Sequence, residues 1–513
     1  MIEPPLRFSP STAVPHPLGV RPSGNLYLSN NIEKSVEARK TSLGVFGALS
    51  EDLLVEVVSY LDAPQLVKLE SVSRYMLAFS FHVDLWRELF WSEFPNRERV
   101  IKLDLKSTWR ESLLDYLRSN SEETAKRKRV ADDISKIYPR LSDVYSDTLY
   151  SPYRSSGLVP SATWLARENI DRIHWKDLSV SDFIEQFEKR NKPVIITGFV
   201  EDQWSSTVEA WSDVPAMIAA IAAENDLVFD CGVHHFRLSE FARYVDTGLF
   251  RLDEAPIFVF DTKTFAKRNI LQNAYSDIPF FANDLFDLLP GENRPDNAWL
   301  LVGPPGASSK WHVDPNATNA WNAIIVGEKK WVLLPPHLGP PPGVEMSSDG
   351  FAVRQPVTLT DWLDGGFYSD LYDRFHGKGL VEATCRSGEI MFVPRGWWHC
   401  VRNTGNVSTI AITKNYAAES SVDNVRRFLK QFSHCVSGVP QNVRGKLWVE
   451  FDKVLREHRP HLINGEVEIE AVEEVNDTKN DSDNESCCGG EQLTFSFWDH
   501  LTTGTKSLSF ERS

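Results

Sequence analysis

From Pro193 to Thr413 the sequence breaks into short β-branched and aromatic runs, each ended by glycine or proline, and this punctuation limits the fold more than any other feature. Pro193-Val194-Ile195-Ile196-Thr197-Gly198 and Ile257-Phe258-Val259-Phe260 open the series; Trp299–Val302, Ala323–Val326, Lys330–Leu334, Glu389–Val393 and Ser408–Thr413 continue it. Runs this short cannot each be a helix, and many strands joined by tight turns predict a closed or sandwiched β architecture such as a jelly roll. On either side the periodicity is helical, so the fold class is α+β multidomain.

Upstream, Ser50 precedes Glu51 and Asp52 and can cap a helix whose apolar stripe is Leu53, Leu54, Val57, Val58 and Leu61. Asp62-Ala63-Pro64 starts a second helix carrying Leu66, Leu69 and Val72, and Trp86, Leu89 and Phe90 mark a third. A bundle of about fifty residues buries little core by itself, so packing on a neighbour is expected. Residues 1–40 read as a flexible leader rich in Pro, Ser and Asn; residues 464–513 read as an acidic, disordered tail. From Glu466 to Glu485 nine acidic residues and one lysine give −8, half of the formal net charge of −16. The remainder indicates no dominant nucleic-acid surface. No apolar stretch approaches about 18 residues, so no membrane span is expected. The first residues lack a secretory pattern, and six scattered cysteines fit a reducing compartment. Lys126-Arg127-Lys128-Arg129 fits either a nuclear import signal or a solvated helix face.

The chemistry is carried by Trp311-His312-Val313-Asp314. Residues two apart on a strand share a face, so His312 and Asp314 can present an imidazole and a carboxylate together. A second histidine, His399, arrives in GEIMFVPRGWWHCVRN, just after Pro394-Arg395-Gly396 breaks a strand. Two histidines and one carboxylate on one face of a metal form the arrangement of non-haem Fe(II) oxygenases. Trp321, Trp331, Trp397 and Trp398 read as core packing. His234, His235, His337 and His376 have no partner at ligand spacing and read as structural or exposed.

Two resemblances follow. The string LSEDLLVEVVSYLDAPQLVKLESVSRYMLAFSFHVDLWRELF resembles an F-box, over roughly Phe46 to Phe94. That family docks on a Skp-type adaptor of a cullin-RING ubiquitin ligase. The runs LLVGPPGASSKWHVDPNATNAWNAIIVGEKKWVLLPP and GEIMFVPRGWWHCVRNTGNVSTIAITKNY resemble the jumonji-C family, in its phosphatidylserine-receptor-like branch. The likeness spans roughly Ser142 to Tyr416. The domain reading is thus leader (1–40), F-box (41–95), helical linker (96–141), a double-stranded β-helix jumonji-C domain (142–416), C-terminal helices (417–463) and tail.

The jumonji-C resemblance implies an Fe(II)- and 2-oxoglutarate-dependent protein oxygenase that consumes O2 and releases succinate and CO2. The product is a hydroxylated side chain or, at an N-methyl group, a demethylated one. It makes His312, Asp314 and His399 the iron ligands and Lys329 the partner of the distal 2-oxoglutarate carboxylate. Asn322 and Thr413 line the same pocket, and Ser309 stands where the family usually has threonine. Phe258 departs from the pattern, standing where the family has a tyrosine that contacts the cosubstrate carboxylate. Losing one hydrogen bond to a charged group costs about 1.5–3 kcal/mol. The implied substrate is a protein, such as a histone or splicing factor, and the implied location is nuclear, with the cytoplasm second. The alternative is a non-catalytic F-box adaptor whose barrel only binds its target.

Overall fold

The computed structural model describes residues 8–9, 16–27, 32–93, 104–120, 140–141, 143–156, 158–221, 227–232, 234–262, 265, 273–346, 353–354 and 357–463. The Lys126–Arg129 run, the acidic tail, and Cys487 and Cys488 lie outside them. Cys231, Cys385 and Cys400 are buried and Cys435 is partly buried. Among the described residues no helix is long and apolar enough to cross a membrane.

The helices before the barrel include α1 Ile32–Leu43, α2 Glu51–Ser59, α3 Ala63–Leu69, α4 Arg74–Ser80, α5 Val83–Glu93 and α6 Trp109–Asn120. The Ser50 hydroxyl accepts from the Leu53 amide at the start of α2. Asp62 and Gln65 form a reciprocal capping box on α3, with Pro64 in its first turn. Only half of the expected α2 stripe is buried. Leu54 and Val58 are enclosed, whereas Leu53 and Val57 stay on the surface together with Tyr60 and Val72. Residues four apart share one face, so the 54/58 line turns inward and the adjacent 53/57 line outward.

The barrel strands are β1 Asp171–His174, β2 Val194–Thr197, β3 Val259–Asp261, β4 Ala298–Gly303, β5 Ser308–His312, β6 Asn319–Val326, β7 Glu328–Leu334, β8 Val381–Arg386, β9 Ile390–Val393, β10 Trp398–Thr404 and β11 Thr409–Tyr416. They form a seven-stranded sheet in the order β1-β2-β9-β6-β11-β4-β3 and a four-stranded sheet in the order β8-β7-β10-β5. All neighbours are antiparallel except β1 and β2. The two sheets make a cupin-like jelly roll. Gly327, at φ +85°, turns β6 into β7, and a Cβ there would strike Thr409.

Alternation along the strands separates two cores. Ala320, Ile324, Trp331, Leu333, Met391, Val401 and Ala411 meet inside the barrel. Trp321, Ile325, Phe392 and Ile412 face the other way and pack on helices outside the larger sheet. Each fully buried ring or branched chain contributes roughly 2 kcal/mol, so the covering helices are integral to the sheet. Helices α8 Val422–Gln431 and α9 Leu447–His458, with α7 Leu238–Asp246 upstream, complete the parts that concern the site. The expected C-terminal helical span is therefore divided, broken near Ser433–Cys435 and Pro440.

Asp253 ties the N-terminal helices to the barrel wall. Its carboxylate is fully buried and accepts from Arg87 of α5 (3.3 Å), Trp109 of α6 (2.9 Å) and the Tyr244 hydroxyl of α7. The Tyr244 oxygen in turn accepts from the Ile257 amide at 3.0 Å, next to Phe258.

Candidate metal centre and cosubstrate pocket

β10 and β5 pair so that His399 and His312 stand directly opposite each other. Their rings lie 4.0 Å apart between centroids. Asp314 sits two residues beyond His312, past the end of the strand rather than on it. Pro315 follows, which ends the ladder yet keeps Asp314 extended (φ −61°, ψ 142°), so the two-residue alternation still aims its carboxylate at the histidines. Ligand atoms of His312, Asp314 and His399 fall within 4.8 Å of one another, all three residues buried. The His399 Nε2 to Asp314 Oδ2 distance is 4.0 Å.

The donor set fits a divalent metal. Nδ1 of His312 faces the Lys310 carbonyl at 2.7 Å, and Nδ1 of His399 faces the Trp397 carbonyl at 3.0 Å. A carbonyl can only accept, so each Nδ1 carries the proton and each Nε2 keeps its lone pair for a ligand bond. Asp314 Oδ2 is buried without a hydrogen-bond partner. Burial holds the Asp314 carboxyl above its usual range and the His312 imidazole well below its own. A buried carboxylate oxygen that lacks a partner, facing the Nε2 side of two imidazoles, is the arrangement a cation satisfies.

The loop after Asp314 is held from the C-terminal side. Asn316 and Ala317 occupy left-handed backbone (φ 57° and 54°). The Asn316 side chain exchanges two hydrogen bonds with the Ser437 backbone, donating at 3.0 Å and accepting at 3.1 Å. The segment between α8 and α9 thus fixes the approach of a ligand loop more than a hundred residues earlier.

A narrow interior pocket is lined by Phe258, Ser309, Lys329, Val401, Asn403 and Thr409. Lys329 points into the barrel from β7 and is 6% exposed. Burial lowers its pKa to about 8, because among the described residues no carboxylate is paired with it. Gly303 forms the floor, where a Cβ would lie 2.8 Å from Asn403 Nδ2 and 3.0 Å from the Phe258 Cβ. Ser309 and Lys329 therefore share one pocket with Phe258. Asn322 and Thr413 do not line it; they pair with each other across β6 and β11. Thr413 donates its hydroxyl to the Trp321 carbonyl at 2.7 Å, while Asn322 Oδ1 is buried without a partner. Asn403 and Thr409 escaped the sequence reading. Period-two spacing from His399 through Val401 to Asn403 was the available signal for the first.

A second, larger cavity of about 530 Å³ reaches Asp314 from the outside. Trp398, Arg395 and Asn191 line one side and Asn424 and Phe428 of α8 another. Trp398 is buried, as core packing requires, and also walls this cavity. His235 is half exposed beside Asp230, and His234 stacks on Trp91.

A cupin-like domain family matches residues 180–421. The chain is 36% identical to the arginine-specific demethylase JMJ22 of Arabidopsis thaliana over 496 residues, 96% of this chain and 88% of that protein. It is 32% identical to the bifunctional arginine demethylase and lysyl-hydroxylase psr-1 of Caenorhabditis elegans, over 66% of this chain and 79% of that one. The 2-oxoglutarate and iron-dependent oxygenase JMJD4 of Mus musculus is 26% identical over 49% of this chain and 62% of its own length. On this sequence relationship, joined to the jelly roll and its His-Asp-His cluster, the chain belongs to the jumonji-C family of iron- and 2-oxoglutarate-dependent oxygenases.

Proposed function

We propose that this oxygenase acts on protein side chains, hydroxylating lysine or arginine or removing N-methyl groups from them, with His312, Asp314 and His399 as iron ligands. The observation that carries the reading is the buried three-residue cluster with an unpartnered Asp314 oxygen. Relatives named as arginine demethylases and a lysyl-hydroxylase support the substrate class. Bound iron, with 2-oxoglutarate and O2, supplies oxidation of a C–H bond coupled to decarboxylation of the cosubstrate.

The chain's own residues do the rest. Lys329 anchors the distal carboxylate of 2-oxoglutarate, a dicarboxylate being the counter-ion that a buried lysine requires. Ser309 offers the same carboxylate a hydroxyl, and Phe258 gives only an apolar wall. Asn322, on the same face of β6 as Ala320 and Ile324, offers its buried, unpartnered Oδ1 inside the barrel, and Thr413 stands opposite it on β11. The carbonyls of Lys310 and Trp397 orient the two imidazoles, and the Trp398 wall keeps bulk water from the reacting carbon.

The N-terminal helices act in this reading as an F-box. Exposed Leu53, Val57, Tyr60 and Val72 offer a Skp-type adaptor of a cullin-RING ligase an apolar face, and the enzyme works in the nucleus. The test is succinate release from purified protein with Fe(II), ascorbate, 2-oxoglutarate, O2 and lysine- or arginine-bearing peptides, with His312→Ala as control. Succinate that disappears in the variant, with a gain of oxygen or loss of a methyl group in a peptide, supports the reading. No succinate above the control, despite bound iron, moves it to a non-catalytic adaptor. Co-purification with the adaptor, lost on Leu53→Asp with Val57→Asp, tests the F-box separately.

A further inference from the structure

Among the described residues, the wall of the large cavity that ends at Asp314 carries one other formal charge, the guanidinium of Arg395. This residue sits in the turn between β9 and β10, four residues before His399, and its backbone is clamped by two side-chain hydrogen bonds. The Arg395 amide donates to Asn319 Oδ1 at 2.8 Å, and the Arg395 carbonyl accepts from Asn191 Nδ2 at 3.3 Å. Asn191 is itself held in left-handed backbone, with its carbonyl accepting from Trp397 Nε1 at 2.9 Å.

The guanidinium is less well served than its backbone. It donates to Asn191 Oδ1 at 3.2 Å, and among the described residues no carboxylate pairs with it. Glu188 favours its charge from a distance but directs its oxygens to Tyr416 (2.9 Å) and Ser420 (2.6 Å). Burial accordingly lowers the Arg395 pKa. A fixed, partly desolvated fork with donors to spare is suited to an anion that arrives with a ligand. That anion is not the cosubstrate in the reading above, because Lys329 serves it in the separate interior pocket. It belongs to whatever enters by the outer cavity and reaches Asp314, which is the protein substrate.

We propose that Arg395 determines specificity, selecting protein substrates that carry an anionic side chain, a carboxylate or a phosphorylated serine, beside the residue to be oxidised. The inference rests on the protein-oxygenase reading. It would make the preferred targets acidic in their flanks although the oxidised residue is itself basic.

The test uses the full chain loaded with Mn(II) and 2-oxoglutarate under nitrogen. The probe is a peptide library with a central arginine, methylarginine or lysine and flanks drawn equally from Glu, Gln, Lys and phosphoserine. Bound peptides are sequenced by mass spectrometry for the wild type and for Arg395→Gln and Arg395→Glu. The wild type should enrich Glu or phosphoserine over Gln at one flanking position by at least about fivefold. Arg395→Gln should erase the preference, and Arg395→Glu should turn it towards Lys. The relative enrichment of Glu and phosphoserine identifies which anion is read. Equal recovery of all flanks, or an acidic preference that survives Arg395→Glu, overturns the inference. Succinate release by the wild type is measured in parallel. Its absence sinks the oxygenase reading, whereas succinate with no flank preference sinks only the role of Arg395.

Discussion

Replacing Lys329 by methionine should stabilise the cosubstrate-free protein while abolishing its response to 2-oxoglutarate. Burial lowers the Lys329 pKa from the usual 10.5 to about 8 in the folded chain, and the unfolded chain keeps the usual value. Below pH 8 both states are charged and the full desolvation penalty is present. Between about 8 and 10.5 the unfolded state holds a proton that the folded state has lost, so stability rises with pH across that window. The difference between 10.5 and about 8 corresponds to roughly 3 kcal/mol at neutral pH. Methionine fills nearly the same volume and removes the penalty. Urea denaturation followed by tryptophan fluorescence should therefore show Lys329→Met more stable than wild type at pH 7 by up to about 3 kcal/mol, the gap closing as pH approaches 10.5. With Mn(II) present, 2-oxoglutarate at a hundred times its Kd should raise wild-type stability by about 2.7 kcal/mol and leave the variant unmoved. Lys330 is the control. It points out of the barrel, donates to the Arg167 carbonyl and lies over Trp164, so Lys330→Met should keep the 2-oxoglutarate response. A Lys329→Met protein that is less stable than wild type at pH 7, or that still responds to 2-oxoglutarate, would refute the reasoning.

Asp314→Ala should abolish Mn(II) binding by calorimetry yet leave the metal-free melting temperature close to that of wild type, since relief of the unpartnered Oδ2 offsets loss of the side-chain hydrogen bond to Asn415. Phe258→Tyr should lower the KM for 2-oxoglutarate by about tenfold, the worth of one hydrogen bond to a charged group, without a matching change in kcat. Asp253→Ala should cost about 3–5 kcal/mol in urea denaturation, because Arg87, Trp109 and Tyr244 lose a shared buried acceptor.

Local chemistry decided what could be read beforehand. The Ser50 and Asp62 caps, the strands and the glycine turn at Gly327 are written in neighbouring residues, and the structure forms them there. Strand ends were read short, as at β6, which begins at Asn319 rather than Ala323, because Asn319 and Asn322 look like turn residues until the opposite strands supply their partners. The facing of His312 by His399 depends on a register between segments nearly ninety residues apart, with a bulge in β5, and no local signal encodes it. Asp253 was invisible for the same reason. Its donors come from three helices, and nothing in LDEAP marks an aspartate that will be fully buried.

The same distances explain why the helices before and after the barrel matter to the chemistry. The barrel has two cavities, an inner pocket ending at Lys329 and an outer one that reaches the metal cluster at Asp314. The inner wall at Phe258 follows the Ile257 amide held by Tyr244, whose hydroxyl binds the carboxylate shared with α5 and α6. The outer wall takes Phe428 from α8, and its ligand loop is pinned by Ser437. A barrel cut at its first and last strands would keep His312, Asp314 and His399 in sequence but lose the contacts that set both cavities. Removing the N-terminal helices should therefore raise the KM for 2-oxoglutarate, while loosening the C-terminal segment with Asn316→Ala should weaken peptide binding first.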